Sequence, residues 1–481
     1  MVAMGTTLYI LTCALATAQP AAADLSDWQG PPRLSRGQEL VYRGTFTEEA
    51  NNQGVLFQRT FRLENRVFVL ETMPDGASIA FFTAWKGRSA KQEKEAETTS
   101  VRLEVARMKA NGRLETDRGA SLAAPLDGPP LVECGAFVEL PKARLAIDQT
   151  WEVLEAGRPA RTWRVAAVET VNNTRCLKLV GAQQSEDWDA PRPGRNAWRR
   201  RDIVWLLPRT GCALKVERTI ERREPARPEV GQKLVLKYEL DSSMQYPGQL
   251  YEDRRREITQ AQALGESVAS LLPRAAQVGP RPFEALLTRI QNITVTSPPT
   301  PYREALKHVQ RLAEVGKRGE APPELPADDD LVPQIAHGKP APEFLVKDLT
   351  TKESVRLRHW LGRPTLLVFY SPTSPTIDSL LRFAQDVHDR HGDTVHVVTL
   401  AVSEDVERVL QQRRDMKVTV PVLSGTGLRL SYAIEATPKL VVLDSAGVVR
   451  TSCIGWGPET PYSVLEDLRR CRPVSDAGNR R

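Results

Sequence analysis

The chain is poor in cysteine, with six in 481 residues, too few for a disulfide scaffold. None stands in a Cys-x-x-Cys pair, and no His-x-x-x-His pair or similar spacing occurs. The sequence therefore offers no zinc site, and no metal is expected. Gly-x-Gly-x-x-Gly and P-loop motifs are missing as well, so no nucleotide cofactor is expected. Beyond the N-terminus there is no run of 18 apolar residues, which excludes a membrane-spanning helix from the expectation. Charge of one sign is not in large excess. The 66 Lys+Arg against 60 Asp+Glu leave +6, which is not the footprint of a dedicated nucleic-acid binder. What is present is ordinary for a globular chain, 41% hydrophobic and 26% charged. That composition excludes collagen, wholesale disorder and a multi-span membrane protein. The length leaves room for two or three domains of roughly 150 residues.

Residues 1–23 carry no charge, hold a short apolar core from Leu8 to Ala18, and end in Ala21-Ala22-Ala23. They read as a secretory signal peptide, although the usual basic start is missing. A lipid anchor at Cys13 is not expected, because Thr12 precedes it. The implied location is the periplasm or cell envelope. Export places Cys134, Cys176, Cys212, Cys453 and Cys471 where disulfides persist. Asn172 and Asn292 match N-x-T sequons, which matter only in a host that glycosylates exported proteins.

From about 36 to 246, short runs such as VLFQRTFRL, RVFVLETM, DIVWLLP and KLVLKYELDS alternate polar and apolar residues, as half-buried strands do. Turn signals separate many of them, among them Pro74-Asp75-Gly76 and Asn172-Asn173. An antiparallel meander of this kind closes into a sandwich, a curved sheet or an open barrel, and the pattern does not choose. Helical spacing takes over from 252 to 318, and EAPPELPADDD (320–330) is a Pro-rich acidic linker. After it, strand and helix patterns alternate: TLLVFY (365–370), a helix over 377–391, VHVVTLAV (395–402), a helix over about 403–415, KLVVLD (439–444), VVRTSCI (448–454), and a last helix over about 459–471. That alternation predicts a layered α/β domain. The expected division is a signal peptide (1–23), a β-rich domain (24–250), a helical connector (251–319), a linker (320–334), an α/β domain (335–475) and a tail (476–481).

This last domain resembles the thioredoxin-like superfamily, in its redoxin branch of peroxiredoxins and exported TlpA-like thiol oxidoreductases. The residues carrying the likeness are Ala341-Pro342-Glu343-Phe344, LRHWLGR (357–363), TLLVFY, and Ala436-Thr437-Pro438 followed by KLVVLDSAGVV. The resemblance covers about 30% of the chain. It implies a reactive cysteine at a helix N-terminus, where the dipole lowers its pKa. In the oxidoreductase register the Trp-Cys-x-x-Cys motif falls on Thr373 to Ile377. The nucleophile position is then Ser374 and the resolving position Ile377. In the peroxiredoxin register the motif falls on Pro372, Thr376 and Ser379. Neither holds cysteine, and a serine hydroxyl has no disulfide state with which to exchange. No catalytic residue is therefore expected at these positions. Ser374 before Pro375 instead reads as an N-cap with proline at N1. His388 and His391, ~15–20 Å along the same helix, are too distant to act as its base. The resemblance also implies a cis peptide at Thr437-Pro438, beside which an extended peptide segment pairs. These two residues mark a candidate peptide groove. A second resemblance, of FVELPKARLAIDQTWEV and the strands after it to β-domains of bacterial envelope proteins, transfers no activity.

Cys453 and Cys471 are the candidates for a displaced thiol, and they meet only if the last helix returns across the sheet. Cys176 and Cys212 fall on strands two apart, ~9.6 Å, beyond the ~7 Å that a disulfide tolerates. Arg192, Arg195, Arg199, Arg200 and Arg201 form a basic run with Trp198 that offers contact to an anionic surface. The leading reading is an exported, non-catalytic binding or scaffolding protein with an unidentified protein partner. One alternative is a thiol–disulfide oxidoreductase or peroxidase using a displaced cysteine. Another is a carrier of an apolar ligand in the β-rich domain.

Overall fold

The computed structural model describes residues 28, 30–52, 54–88, 97–115, 135–154, 159–190, 197–223, 230–296, 298–319, 337–429, 431–434 and 436–471. The expected signal peptide with Cys13, the acidic linker, the tail, Cys134, Arg192 and Arg195 lie outside the described residues.

Among the described residues, the strand-forming runs build one antiparallel sheet of eleven strands. They are β1 (Gln38–Asn52), β2 (Val55–Met73), β3 (Gly76–Arg88), β4 (Glu97–Lys109), β5 (Leu114–Glu115), β6 (Thr150–Val153), β7 (Arg161–Val171), β8 (Thr174–Gln184), β9 (Ala197–Leu206), β10 (Ala213–Arg223) and β11 (Val230–Gln245). Their spatial order is β5-β4-β3-β2-β1-β11-β10-β9-β8-β7-β6. Two meanders therefore join where the first strand pairs with the last. Asn172 and Asn173 both take left-handed φ, 48° and 60°, as a two-residue hairpin turn requires. The two predicted strands 55–63 and 66–73 are one strand, β2. Glu64 and Asn65 stay in the ladder opposite Ala84 and Thr83, and buried Asn65 accepts a hydrogen bond from Thr83 at 3.2 Å. A polar pair without Gly or Pro did not break the strand, because a cross-strand partner satisfies it.

Alternation sorts the two faces. In β11, Leu234, Leu236 and Tyr238 are buried, while Lys233, Val235 and Lys237 point the other way. The inner face gathers Tyr42, Val67, Phe81, Leu179 and Val204, and Phe137, Leu140 and Leu145 pack into the same cluster. Each of the buried Val, Leu and Phe side chains contributes ~1.5–3 kcal/mol. At one end of this face Asp202 is enclosed by arginines. Burial opposes its charge, but Arg200, Arg218 and Arg161 outweigh that and hold its carboxyl below the usual range.

The outer face is shared. One end of β2–β4 carries the helices α1 (Gly248–Leu271), α2 (Ala275–Val278), α3 (Arg281–Thr296) and α4 (Arg303–Lys317). Phe68, Leu70 and Phe82 from the sheet share one core with Ile258, Leu264, Phe283, Tyr302 and Leu306. The helical stretch is thus packed on the sheet rather than standing apart from it. Tyr302 Oη donates to fully buried Glu39 at 2.7 Å, and Arg303 pairs with Glu257. A Cβ at Gly316 would collide with the Phe283 ring, so the helix crossing requires glycine there.

The C-terminal part opens with a hairpin, β12 (Leu345–Lys347) and β13 (Ser354–Arg356). It continues with β14 (Thr365–Tyr370), α5 (Ile377–His391), β15 (His396–Ala401), α6 (Val406–Asp415), β16 (Val422–Ser424), β17 (Lys439–Leu443), β18 (Val449–Ile454) and α7 (Thr460–Arg470). The sheet order is β16-β15-β14-β17-β18. β14, β15 and β16 are parallel, and β17 is antiparallel to both neighbours. Every residue of β14 is buried, because apolar clusters cover both faces of this sheet. The architecture is multidomain, with an N-terminal antiparallel sheet, helices in the middle, and a C-terminal thioredoxin-like domain.

Candidate functional site

The loop after β14 carries the positions where the resemblance places cysteines. Ser374 is buried, and its hydroxyl lies 3.0 Å from the Thr376 hydroxyl. Ser371 and Thr373 form a second hydroxyl pair at 2.8 Å. No hydrogen bond joins Ser374 to a base among the described residues. Ile377, the resolving position, packs into the core of the domain. Ser379 donates to the Thr376 carbonyl at 2.9 Å and so belongs to the first turn of α5. The N-cap expectation for Ser374 is corrected. The helix starts at Ile377 with Thr376 as its N-cap, and no side chain caps it. Ser374 and Pro375 instead form a turn ahead of the helix. The Ile377 N–H reaches the Ser374 carbonyl at 3.3 Å, and the serine hydroxyl is engaged by Thr376.

Across from this loop the Thr437-Pro438 peptide is cis. The backbone beside it is occupied by the chain's own second strand. Gln58 N–H donates to the Thr437 carbonyl at 2.8 Å, and Thr437 N–H donates back to the Gln58 carbonyl at 2.8 Å. Two residues away, Leu56 N–H donates to the Trp456 carbonyl at 3.0 Å, and Trp456 N–H returns the bond at 2.9 Å. Both are antiparallel bridges. This is possible because β2 has a free edge there. Its pairing with β3 runs only from Met73 back to Arg62, while its pairing with β1 continues to Val55. A strand edge with open N–H and C=O groups seeks a partner, and Thr437 and Trp456 supply one. The side chains agree with the backbone. Gln58 is 4% exposed, and its amide lies 3.4 Å from the Thr373 hydroxyl of the cysteine-free loop. Val55 fits against Gly455, where φ is +90° and a Cβ would strike it. The sequence placed Thr437 and Pro438 in a groove but gave no sign of Leu56 and Gln58 as its occupants. VLFQRTF reads as one more strand, and nothing local says which edge stays open.

None of the described cysteines forms a disulfide, and Cys176, Cys212, Cys453 and Cys471 are free thiols. Leu177 and Ala213 both oppose Leu206, which confirms that Cys176 and Cys212 flank an intervening strand. Burial pushes the Cys453 thiol up to about 11 and raises that of Cys471. At pH 7 a thiol with a pKa of about 11 is ionised only about once in ten thousand. Neither matches the depressed pKa that reactive cysteines need.

The basic run does not present a uniform surface. Arg200 is 2% exposed and bonds Asp202 at 2.7 Å, so it faces the core and is removed from any surface contact. Arg199 pairs with Glu221 and lies over the Trp188 ring, while Arg201 is exposed. Strand alternation explains this, since neighbours in β9 face opposite sides. Among the described residues no three His, Cys, Asp or Glu side chains converge as metal ligands, and no helix is long and apolar enough to cross a membrane.

Residues 337–452 match the model of the AhpC/TSA family. A stretch of 133 residues, 27% of this chain, is 27% identical to the methylamine utilization protein MauD of Paracoccus denitrificans. It covers 64% of that protein, less than two thirds of its length. Among solved structures, the thioredoxin domain of a thiol-disulfide oxidoreductase from Bacteroides vulgatus is similar over 28% of this chain and 97% of its own, with 16% identity and a TM-score of 0.26. A secreted disulfide oxidoreductase of Mycobacterium tuberculosis is similar over 26% of this chain and 95% of its own, with 15% identity and a TM-score of 0.24. The C-terminal third of the chain is a redoxin-type domain of the thioredoxin-like superfamily, matching the AhpC/TSA family and lacking cysteine at its motif positions.

Proposed function

We propose that the protein is an exported, non-catalytic scaffold of the cell envelope, in which the redoxin-type domain clamps the chain's own sheet. The observation that carries this reading is the reciprocal pair of hydrogen bonds between Gln58 and Thr437, opposite a loop without cysteine. A groove held by a covalently attached strand is closed to a passing peptide at ordinary concentrations. Its occupant is present at the mM effective concentration of a tethered segment. In this reading residues 24–250, with the helices of 251–319, are the body, and residues 335–475 are the clamp. Binding of external partners then falls to other surfaces or to the space that the clamp encloses.

The pushed-up thiols of Cys176, Cys212 and Cys453 argue against the displaced-thiol enzyme. The inner face of the sheet is packed against Phe137 and Leu140, which come from the segment between β5 and β6, and this argues against an apolar carrier. Dithiothreitol-driven reduction of insulin tests the reading directly, comparing the full chain with a Cys453→Ser, Cys471→Ser double variant. Both should run at the uncatalysed rate. Turnover by the parent above the variant overturns the non-catalytic reading.

A further inference from the structure

The clamp does not press its two halves together everywhere. Beside the Gln58–Thr437 contact lies a cavity of about 820 Å³ between the outer face of the sheet and the strand-end loops of the redoxin-type domain. Its size falls within the ~300–1,000 Å³ of small-molecule sites, which favour domain interfaces. The position is also favoured. The loops after β14, β15 and β16 all line it, and these are the carboxyl ends of the parallel strands, next to the place where the strand order reverses. Ligands of open α/β sheets bind there. In this chain that end of the sheet is roofed by β1, β2, β10 and β11.

The lining is hydroxyl-rich and charged. Thr45, Thr47, Thr60 and Thr219 come from the sheet, and Ser371, Thr373, Ser403 and Thr426 from the loops. The charged residues are five bases (Arg62, Lys233, Lys237, Arg408, Arg429) and three acids (Glu49, Glu217, Glu404), a surplus of two positive charges. Each acid already has a basic neighbour. Glu49 is 3.1 Å from Lys233, Glu217 is 3.2 Å from Lys215, and Glu404 is 3.9 Å from Arg62. Lys237 and Arg408, one on each wall, have no acidic partner among the described residues. Two cations lining the same cavity among hydroxyls that both donate and accept suit a ligand with an anionic group and several hydroxyls.

We infer that this cleft, open to solvent along one side where Lys237 and Arg408 are exposed, is a binding site for a hydroxylated organic anion of about disaccharide size, such as a sugar phosphate, held between Lys237 and Arg408. The inference rests on the clamp, which forms one wall against the other. The test is calorimetric titration of the full chain with trehalose 6-phosphate, with trehalose, and with inorganic phosphate. Trehalose 6-phosphate should give a saturable isotherm, and the other two should bind at least about tenfold more weakly. Lys237→Ala and Arg408→Ala should each weaken it about tenfold, whereas Arg390→Ala at the far end of α5 should leave it unchanged. Circular dichroism checks that each variant is folded. The inference is overturned if no probe binds, if trehalose binds as well as its phosphate, if phosphate alone binds as well, or if both variants bind like the parent. Amide exchange at Thr437 reads the clamp separately. A protected Thr437 with no isotherm defeats the cleft and leaves the clamp standing, and an unprotected Thr437 defeats the clamp itself.

Discussion

Replacing Gln58 with proline isolates the clamp from the sheet that forms it. The Gln58 N–H points away from β1 and bonds the Thr437 carbonyl. A proline there removes a hydrogen bond between domains and none within the β1–β2 ladder. The Thr437 carbonyl, on a residue 6% exposed, then loses its partner at a cost of about 1–3 kcal/mol. The proline ring also pushes the strands apart and weakens the return bond from the Thr437 N–H. Together the docked state should lose ~2–4 kcal/mol, a ~30- to 1,000-fold shift toward undocked domains. Hydrogen exchange of the full chain measures this. The amides of Thr437 and Trp456, protected by the carbonyls of Gln58 and Leu56, should exchange faster, while those of β14 keep their protection. Phe57→Pro is the contrasting control, because its N–H points the other way along the strand. It should disturb the β1–β2 hairpin first. If Gln58→Pro leaves exchange at Thr437 and Trp456 unchanged, the interdomain bonds hold nothing, and the clamp reasoning fails.

Gly455→Ala places a methyl group against Val55 at a φ of +90°, so it should weaken docking by about 1–3 kcal/mol. Adding Val55→Ala should restore only part of the loss, because the backbone cost remains, and thermal melts of the three variants check this. His308 is pushed down to about 4 by burial and by Arg311 and Arg102. Its proton is therefore bound more tightly by the unfolded chain, and stability should fall as pH drops below 6.5. Between pH 7.5 and pH 5 the loss from this group is about 2 kcal/mol, measurable as the difference in urea midpoints between the parent and His308→Gln. Tyr302→Phe removes the 2.7 Å donor from buried Glu39, which keeps Arg66 and Tyr246 at 3.3 Å. Stability should drop by about 1–3 kcal/mol in chemical denaturation, without change in secondary structure. Alkylation of Cys453 by iodoacetamide should be much slower than that of a free thiol at pH 8, because its pKa of about 11 leaves little thiolate; mass spectrometry of the Cys453 peptide follows the rate.

Much of this architecture is legible in the sequence because local signals determine it. The buried run TLLVFY became β14, the periodic stretch 377–391 became α5 with the same bounds, and Asn172-Asn173 became a tight turn. The fold of the C-terminal third followed from short motifs in order. What stayed hidden was long-range. The pairing of β1 with β11 joins residues some 200 apart, and no turn or period announces it. The merging of two predicted strands into β2 depended on Thr83 across the ladder satisfying Asn65. The basic run looked like a surface because composition does not record which residues of β9 face inward, and Arg200 does. Ser374 does not cap α5, because the neighbouring Thr376 hydroxyl engages its side chain and Thr376 takes the N-cap position. The groove's occupant was the least legible of all, since it depends on where β3 stops pairing and leaves an edge exposed.

The loss of cysteine and the occupied groove are two parts of one arrangement. In the oxidoreductase register that the resemblance implies, a thiol at position 374 would act on a peptide beside Thr437, and the residue lying beside Thr437 is Gln58. Glutamine has no sulfur to exchange, and its own chain holds it there. A nucleophile facing a permanent occupant with nothing to attack adds only an oxidisable group. A buried hydroxyl pair, Ser374 with Thr376, fills the same space without that liability. The converse also follows. If the strand left the groove, Thr437 and Trp456 would expose open backbone groups on one side and Leu56 and Gln58 would do so on the other. Each half therefore satisfies the other, and what the geometry leaves open to small molecules is the polar cleft beside the contact.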